Sequence, residues 1–187
     1  KGLSRSDFFI TTKLWPGNPQ WGMDTKSYSA TINSCDQSLL KLGIDYVDLY
    51  LIHAPFAIND RLDQWRAFCD IKKAGKAKFV GVSNYSQRHI NEIENEGLPT
   101  PDANQIELHP WCQKSNLVSF LQKKKITQIA YSSLTPLSTW RDKPGQDSAK
   151  TDTMRDDAAL SDSHFKSISS KYSVTEAQLL LKWGLQK

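Results

Sequence analysis

The sequence has neither a long hydrophobic run nor a strong surplus of charge of one sign. No apolar run reaches the roughly 18 residues that a membrane-spanning helix needs. The 24 Lys and Arg residues exceed the 20 Asp and Glu residues by only four, a surplus too small to predict binding to nucleic acid. We therefore expect neither a membrane nor a nucleic acid among the partners of this protein.

Cysteine is scarce, and several familiar binding motifs are missing. Cys35, Cys69 and Cys112 are far apart in the chain and odd in number. This usage is typical of reduced thiols, so we expect a cytoplasmic protein without a disulfide framework. The sequence contains no Gly-x-Gly-x-x-Gly, P-loop, His-Glu-x-x-His or paired-cysteine motif. We therefore expect neither a Rossmann dinucleotide site nor a metal site.

Aromatic residues, by contrast, are well represented. Six Trp, six Tyr and seven Phe within a hydrophobic fraction of 39% provide the apolar surface for a packed core. The length predicts a single domain over residues 1–187. Residues 135–161 are rich in Pro, Asp, Ser, Lys and Thr, and we interpret them as a long loop that is either a cofactor lid or disordered.

Short apolar runs alternate with amphipathic segments along the chain. The runs predict five strands, over residues 8–12, 47–52, 79–82, 103–108 and 128–131. Helical spacing of apolar residues between Tyr28 and Leu42 predicts a helix, which Gly43 ends. Near the end of the chain, Ser173 or Thr175 is the expected N-cap of a further helix. Strands that alternate with helices, without hairpin signals, predict βαβ units and a parallel sheet.

Polar or titratable side chains follow the predicted strands at the same end. The first strand leads to Lys13, the second to His53, the third to residues 83–84 and the fifth to Tyr131. Gln105 is a partial exception, because it lies early in the fourth strand. Each residue alone has an ordinary structural explanation, such as a solvated lysine or a helix cap. Together they predict a polar cluster where the carboxyl ends of parallel strands bind ligands.

Five segments resemble motifs of the aldo-keto reductase superfamily in both order and spacing. They are TTKLW (11–15), VDLYLIHAP (47–55), GVSNY (81–85), NQIE (104–107) and AYS (130–132). The resemblance implies an α/β fold of the (β/α)8 barrel type. Such a barrel typically needs about 250 residues, so we expect an incomplete barrel with about five parallel strands and flanking helices.

The resemblance also implies which residues form the site. Lys13 and His53 match the catalytic lysine and histidine. The residues that match the cofactor-binding positions are Ser83, Asn84, Gln105, Tyr131, Ser132 and Leu134. Trp15 resembles a substrate-pocket aromatic. Independently of the resemblance, Trp15, Trp21 and Trp111 all follow strands, and they form either the wall of an apolar pocket or part of the packed core; we assign Trp15 and Trp111 to the pocket. Ala54 stands where many members have Trp, which implies a more open pocket wall.

The activity implied by the resemblance is reduction of aldehydes or ketones to alcohols by hydride transfer from a nicotinamide cofactor, NADP(H) rather than NAD(H). The expected partner is a small carbonyl compound. The family's proton-donating tyrosine and its aspartate have no match in this sequence. We therefore expect an active intact parent, monomeric once its barrel is complete, and an inactive 187-residue chain whose exposed strand edges favour self-association.

Three other interpretations stay open at this stage, and the simplest is a fragment with no function of its own. The other two are functions. One is a regulatory or non-catalytic relative that binds the cofactor without turnover. The other is a (β/α)8 enzyme in which Lys13 forms a Schiff base with a carbonyl substrate.

Overall fold

The computed structural model describes residues 2–137 and 164–187. Most of the loop predicted over 135–161 lies outside these ranges. Its first three residues, Thr135–Leu137, form one 3-10 turn.

Five parallel strands form one sheet whose spatial order follows the order of the chain. They are β1 (Thr11–Leu14), β2 (Val47–Ile52), β3 (Ala77–Ser83), β4 (Ala103–Glu107) and β5 (Thr127–Tyr131). The predicted count and parallel arrangement of the strands are therefore confirmed. All six residues of β2 are buried, which is typical of a strand covered on both faces.

In residues 2–137 and 164–187, six α-helices flank or follow these strands. They are α1 (Tyr28–Leu42), α2 (Arg61–Lys73), α3 (Gln87–Asn95), α4 (Ser115–Lys123), α5 (residues 164–171) and α6 (Glu176–Leu185). As predicted, Gly43 ends α1, with the left-handed φ of 65° that glycine adopts without strain. Thr175, and not Ser173, caps α6 by accepting a hydrogen bond from the Gln178 amide. Within the described ranges, none of the helices combines the length and apolar character needed to cross a bilayer.

The first strand begins later than the sequence predicts. Phe8 and Phe9 are 49% and 65% exposed, and the ladder starts only at Thr11. The Ile10 amide donates to the side-chain carboxylate of Asp48 in β2, at 2.9 Å, instead of to a backbone carbonyl oxygen. The aromatic residues Phe8 and Phe9 were therefore wrongly interpreted as part of a strand.

The chain divides into two compact units. The first comprises residues 1–106 and 119–129, and the second comprises residues 107–118 and 130–187. In the first unit, the Phe68 ring stacks on Tyr50 with 4.7 Å between centroids and on Trp65 with 6.1 Å. In the second unit, Leu180 of α6 is fully buried.

The register of the sheet explains the apparent exception of Gln105. Lys13 pairs with Leu51, and Ser83 at the end of β3 pairs with Gln105 in the middle of β4. Since β4 begins further along the sheet, its third residue lies level with the last residue of β3. Gln105 therefore lies level with the carboxyl end of the neighbouring strand.

Candidate active site

The ends of β1 and β2 place Lys13 and His53 in the same region. The His53 amide donates to the Leu14 carbonyl oxygen at 3.0 Å, directly after Lys13. Partial burial of the imidazole, and then the positive charge of Lys13, lower the pKa of His53 below its usual 6.5. Both effects disfavour the charged ring. His53 is therefore a neutral imidazole at pH 7, with one ring N–H to donate.

Hydrogen bonds connect the ends of β2, β3 and β4 through Asn84. Its side-chain amide donates to the His53 carbonyl oxygen at 3.3 Å and to the Ser83 hydroxyl at 3.1 Å. The Ser83 hydroxyl in turn donates to the Gln105 carbonyl oxygen at 2.9 Å. Asn84 adopts a φ of 61°, a left-handed conformation in which asparagine is enriched among non-glycine residues. The backbone turn thus directs its amide across the strand ends.

Gln105 carries a buried acceptor that has no hydrogen-bond partner within the described residues. This atom is the side-chain oxygen Oε1. An unsatisfied buried acceptor costs about 1–3 kcal/mol. A ligand with an N–H group, such as the carboxamide of a nicotinamide, would remove that cost. The polar set therefore fits the carboxamide that the sequence resemblance implies.

Three aromatic rings form a wall beside His53. Trp15 stacks on Trp21 with centroids 6.0 Å apart and contacts His53 edge-on at 5.4 Å. Phe56 lies 5.8 Å from Trp15 and 5.5 Å from Trp21. Trp21 is 61% exposed, so the wall presents apolar surface to solvent at the strand ends. Phe56 was missed in the sequence analysis, although its position just after a strand end was a usable signal.

Two buried polar side chains of α2 hold the loops that carry this wall. The Gln64 amide donates to the carbonyl oxygens of Pro16 and Lys26, at 3.0 and 2.9 Å, and so joins both ends of one loop. Arg61 donates to the Pro55 carbonyl oxygen at 3.2 Å and pairs with Glu92 at 2.6 Å. These bonds fix the backbone that follows β1 and β2.

Tyr131, Ser132 and Leu134 lie in the second unit, where β5 ends. Tyr131 is half-buried, and its burial, followed by the charges of Glu107 and Cys112, raises the pKa of its hydroxyl. Ser132 has a φ of 57° and accepts a hydrogen bond from the Thr135 amide at 2.9 Å. Leu134 is 41% exposed. An exposed turn therefore follows the tyrosine directly.

Trp111, the other predicted pocket residue, also belongs to the second unit. Its ring contacts His109 edge-on at 6.4 Å and lies 6.4 Å from Phe165 of α5. Trp111 thus packs between a buried histidine and a helix of its own unit.

The first unit therefore brings together most of the residues singled out from the sequence. Lys13, Trp15, His53, Ser83, Asn84 and Gln105 form one connected group at the ends of β1 to β4. This group offers a cation, a neutral imidazole, an amide donor and an unsatisfied acceptor. Such a set can bind a carboxamide and stabilise negative charge on a carbonyl oxygen.

Comparisons with known proteins give a consistent result. The model of the aldo/keto reductase family matches residues 2–187. An aldo-keto reductase of Mycobacterium leprae is 36% identical over 187 residues, which cover 99% of this chain and 56% of that protein. The five parallel strands of this chain correspond to part of the (β/α)8 barrel found in similar solved structures.

Two of those solved structures illustrate the likeness. A crystal structure of an aldo/keto reductase from Brucella melitensis has a TM-score of 0.77 and 35% identity, covering 99% of this chain and 61% of that one. A Bombyx mori aldo-keto reductase in complex with NADP has a TM-score of 0.77 and 28% identity, covering 97% of this chain and 56% of that one. This chain therefore spans less than two thirds of the length of each relative.

Proposed function

Because this chain belongs to the aldo/keto reductase family, we propose that the intact protein reduces an aldehyde or ketone to an alcohol with a nicotinamide cofactor. The observation that carries the proposal is the hydrogen-bonded group of His53, Asn84, Ser83 and Gln105 beside Lys13. It combines groups that bind a carboxamide with groups that can stabilise a carbonyl oxygen.

The carboxamide of the cofactor would bind between Asn84 and Gln105. The Asn84 amide is a donor, and the buried Gln105 Oε1 is an acceptor without a partner in the described part of the chain. Ser83 positions both, because its hydroxyl accepts from Asn84 and donates to the Gln105 backbone. When bound, the cofactor supplies the hydride. We propose NADP(H) rather than NAD(H), in line with the NADP complex of the Bombyx mori relative.

Tyr131 would provide the stacking surface for the nicotinamide ring, and Ser132 and Leu134 would contact the pyrophosphate. The half-buried Tyr131 ring and the exposed turn after it suit these roles. A raised hydroxyl pKa keeps Tyr131 neutral at pH 7. A neutral ring gives an apolar face on which a planar heterocycle can stack.

Lys13 and His53 would act on the carbonyl oxygen of the substrate. Hydride addition to the carbonyl carbon leaves negative charge on that oxygen, which nearby cations and N–H donors stabilise. Lys13 supplies a positive charge, and the neutral His53 ring supplies one N–H donor. His53 also fixes the direction from which the carbonyl approaches.

The proton for the product alcohol would come from outside this chain. Of the four tyrosines of the first unit, Tyr28 donates its hydroxyl to Asp70, the Tyr46 ring lies against Arg5, and Tyr50 and Tyr85 are fully buried. We therefore propose that the 187-residue chain assayed by itself has little or no reductase activity.

The aromatic wall favours a substrate with an apolar or aromatic group next to the carbonyl. Trp15, Trp21 and Phe56 would contact that group while the carbonyl lies toward His53. Aromatic contacts of this kind contribute about 0.5–1.5 kcal/mol each beyond the area they bury.

The test is an assay of the intact protein with NADPH and 4-nitrobenzaldehyde. We expect NADPH to be consumed and the alcohol to form, with kcat reduced about 100-fold or more by Lys13→Met. The matched control is Lys41→Met, which removes an exposed lysine of α1 and should leave kcat unchanged. NADPH binding without turnover in the intact protein would contradict the proposal. Borohydride trapping of a substrate on Lys13 would instead support Schiff-base chemistry.

A further inference from the structure

Three side chains in the second unit, beside Tyr131 but with no role in the proposed function, place metal-binding atoms together. Glu107, His109 and Cys112 each offer one such atom, and these atoms all lie within 4.8 Å of one another. The His109 Nε2 lies 3.2 Å from the Glu107 Oε1. His109 is 2% exposed and Glu107 is 8% exposed, whereas Cys112 is half-buried.

The local backbone explains why these three residues meet. Glu107 and His109 are two positions apart at the end of β4, and alternate residues of an extended chain point to the same side. A tight turn then brings Cys112 back, since its amide donates to the His109 carbonyl oxygen at 2.8 Å. The reciprocal bond, from the His109 amide to the Cys112 carbonyl oxygen, measures 3.4 Å. The cluster is thus held by main-chain hydrogen bonds.

We propose that Glu107, His109 and Cys112 form a binding site for a zinc-type divalent cation. Carboxylate oxygen, imidazole nitrogen and thiolate sulfur are the ligands that zinc takes in proteins. Bond lengths of about 2.0–2.3 Å in a tetrahedral site put neighbouring ligand atoms roughly 3.3–3.6 Å apart. The Glu107–His109 separation of 3.2 Å is close to this range, and the ligand atom of Cys112 lies within 4.8 Å of the other two.

Three protein ligands leave one tetrahedral position for water. Binding requires the thiolate of Cys112 and the lone pair of His109 Nε2. As the metal binds, the thiol proton passes to solvent, and the imidazole takes the tautomer that carries its proton on Nδ1, so the metal replaces the hydrogen bond to Glu107. The affinity therefore falls as the pH is lowered. The mixed carboxylate, imidazole and thiolate set favours zinc over magnesium or calcium, which prefer sites made of oxygen ligands alone.

The Trp111 ring is not a ligand of the proposed site, but it packs against one of the ligands, the His109 imidazole. It lies edge-on to His109 at 6.4 Å and restricts rotation of the imidazole. The sequence contains no paired cysteines, which are the usual signal for a zinc site. The spacing Glu-x-His-x-x-Cys was the available signal.

The test is titration of the intact protein with Co²⁺ in the absence of cofactor, followed by absorption spectroscopy. Cobalt bound by a thiolate gives a charge-transfer band in the near ultraviolet. We expect one equivalent of Co²⁺ to produce this band and Zn²⁺ to remove it by displacement. The band should disappear in Cys112→Ser and remain in Cys69→Ser, which changes a partly buried cysteine of α2. Reductase activity plays no part in this readout, so the result is independent of the proposed function.

Two results would overturn the proposal. One is the absence of a charge-transfer band in the unmodified protein, which would leave Glu107 and His109 as an ordinary hydrogen-bonded pair. The other is a band that persists in Cys112→Ser, which would place the cobalt at a different thiol. His109→Asn provides an independent check, because it keeps the thiol and should still weaken cobalt binding at least tenfold.

Discussion

The side-chain amide of Asn84 donates a hydrogen bond to the backbone carbonyl oxygen of His53, 3.3 Å away. This bond joins the residue that would bind the cofactor to the residue that would orient the substrate. The same amide reaches Ser83, so one side chain connects the ends of β2 and β3. A shift of Asn84 would therefore change the cofactor and substrate positions together.

Substitution of Asn84 separates the role of its amide from that of its backbone conformation. Asn84→Gly keeps the left-handed φ of 61° available and removes the amide. We expect the Kd for NADPH of the intact protein to rise about tenfold, or about 1.4 kcal/mol. Asn84→Ala should weaken binding to a similar extent and also lower the melting temperature, because alanine is strained at positive φ. Unchanged NADPH affinity in Asn84→Gly would show that the amide does not contact the cofactor.

The pKa of His53 should respond to Lys13. Burial and the Lys13 charge both lower this pKa below 6.5. Lys13→Met removes only the second cause, so it should raise the pKa of His53 part of the way toward 6.5. Activity of the intact protein should stay constant as the pH falls through 6.5 and decline only at lower pH, where the ring becomes charged. The check is a titration of the histidine ring protons by NMR. His89 is the internal control, because burial and Arg61 lower its pKa and Lys13 is not among the causes. A pKa of His53 that is unchanged in Lys13→Met would contradict the proximity of these two residues.

The aromatic wall can be tested through Trp21. Trp21→Ala removes the ring that stacks on Trp15. The KM for 4-nitrobenzaldehyde should rise about 2- to 10-fold, which corresponds to the loss of one aromatic contact. The KM for a short aliphatic aldehyde should change little. Met23→Ala, at another exposed apolar residue of the same loop, is the control. Equal effects on both aldehydes would show that Trp21 does not contact the substrate.

Gly81 of β3 should be intolerant of any side chain. A Cβ atom at this position would overlap the Ala103 carbonyl oxygen and come within 2.8 Å of the Leu51 side chain. We expect Gly81→Ala to lower the free energy of unfolding by about 1–3 kcal/mol. Gly184→Ala is the matched control, because a Cβ there meets no atom within 4 Å among the residues that the structure describes. That helical substitution should be neutral or stabilising by up to about 1 kcal/mol. Urea denaturation measures both, and equal midpoints for the two variants would contradict the close approach at Gly81.

Strands with a strong local signal could be predicted from the sequence. The bounds of β2 agree with the prediction, because Val47–Ile52 is a continuous buried run and Asp48 is held by Arg5 and the Ile10 amide. The start of β1 could not be predicted in the same way. Phe8 and Phe9 have high strand propensity, but where the ladder begins depends on the contact between Ile10 and Asp48.

Features that depend on pairing between distant segments could not be predicted from the sequence. Gln105 lies beside the carboxyl end of β3 because of the register between β3 and β4. Local composition does not specify that register. The unsatisfied oxygen of Gln105 becomes visible only when all neighbouring donors are placed. The meeting of Cys112 with Glu107 and His109 likewise depends on a turn that the sequence analysis did not consider.

The most direct measurement is a crystal structure of the intact protein with NADP⁺. We predict that the nicotinamide carboxamide accepts from the Asn84 amide and donates to Gln105 Oε1, and that the nicotinamide ring stacks on Tyr131. Lys13 and His53 should then face the ring carbon that carries the transferable hydride in the reduced cofactor. A nicotinamide bound elsewhere, with Asn84 and Gln105 out of contact with its carboxamide, would contradict the account.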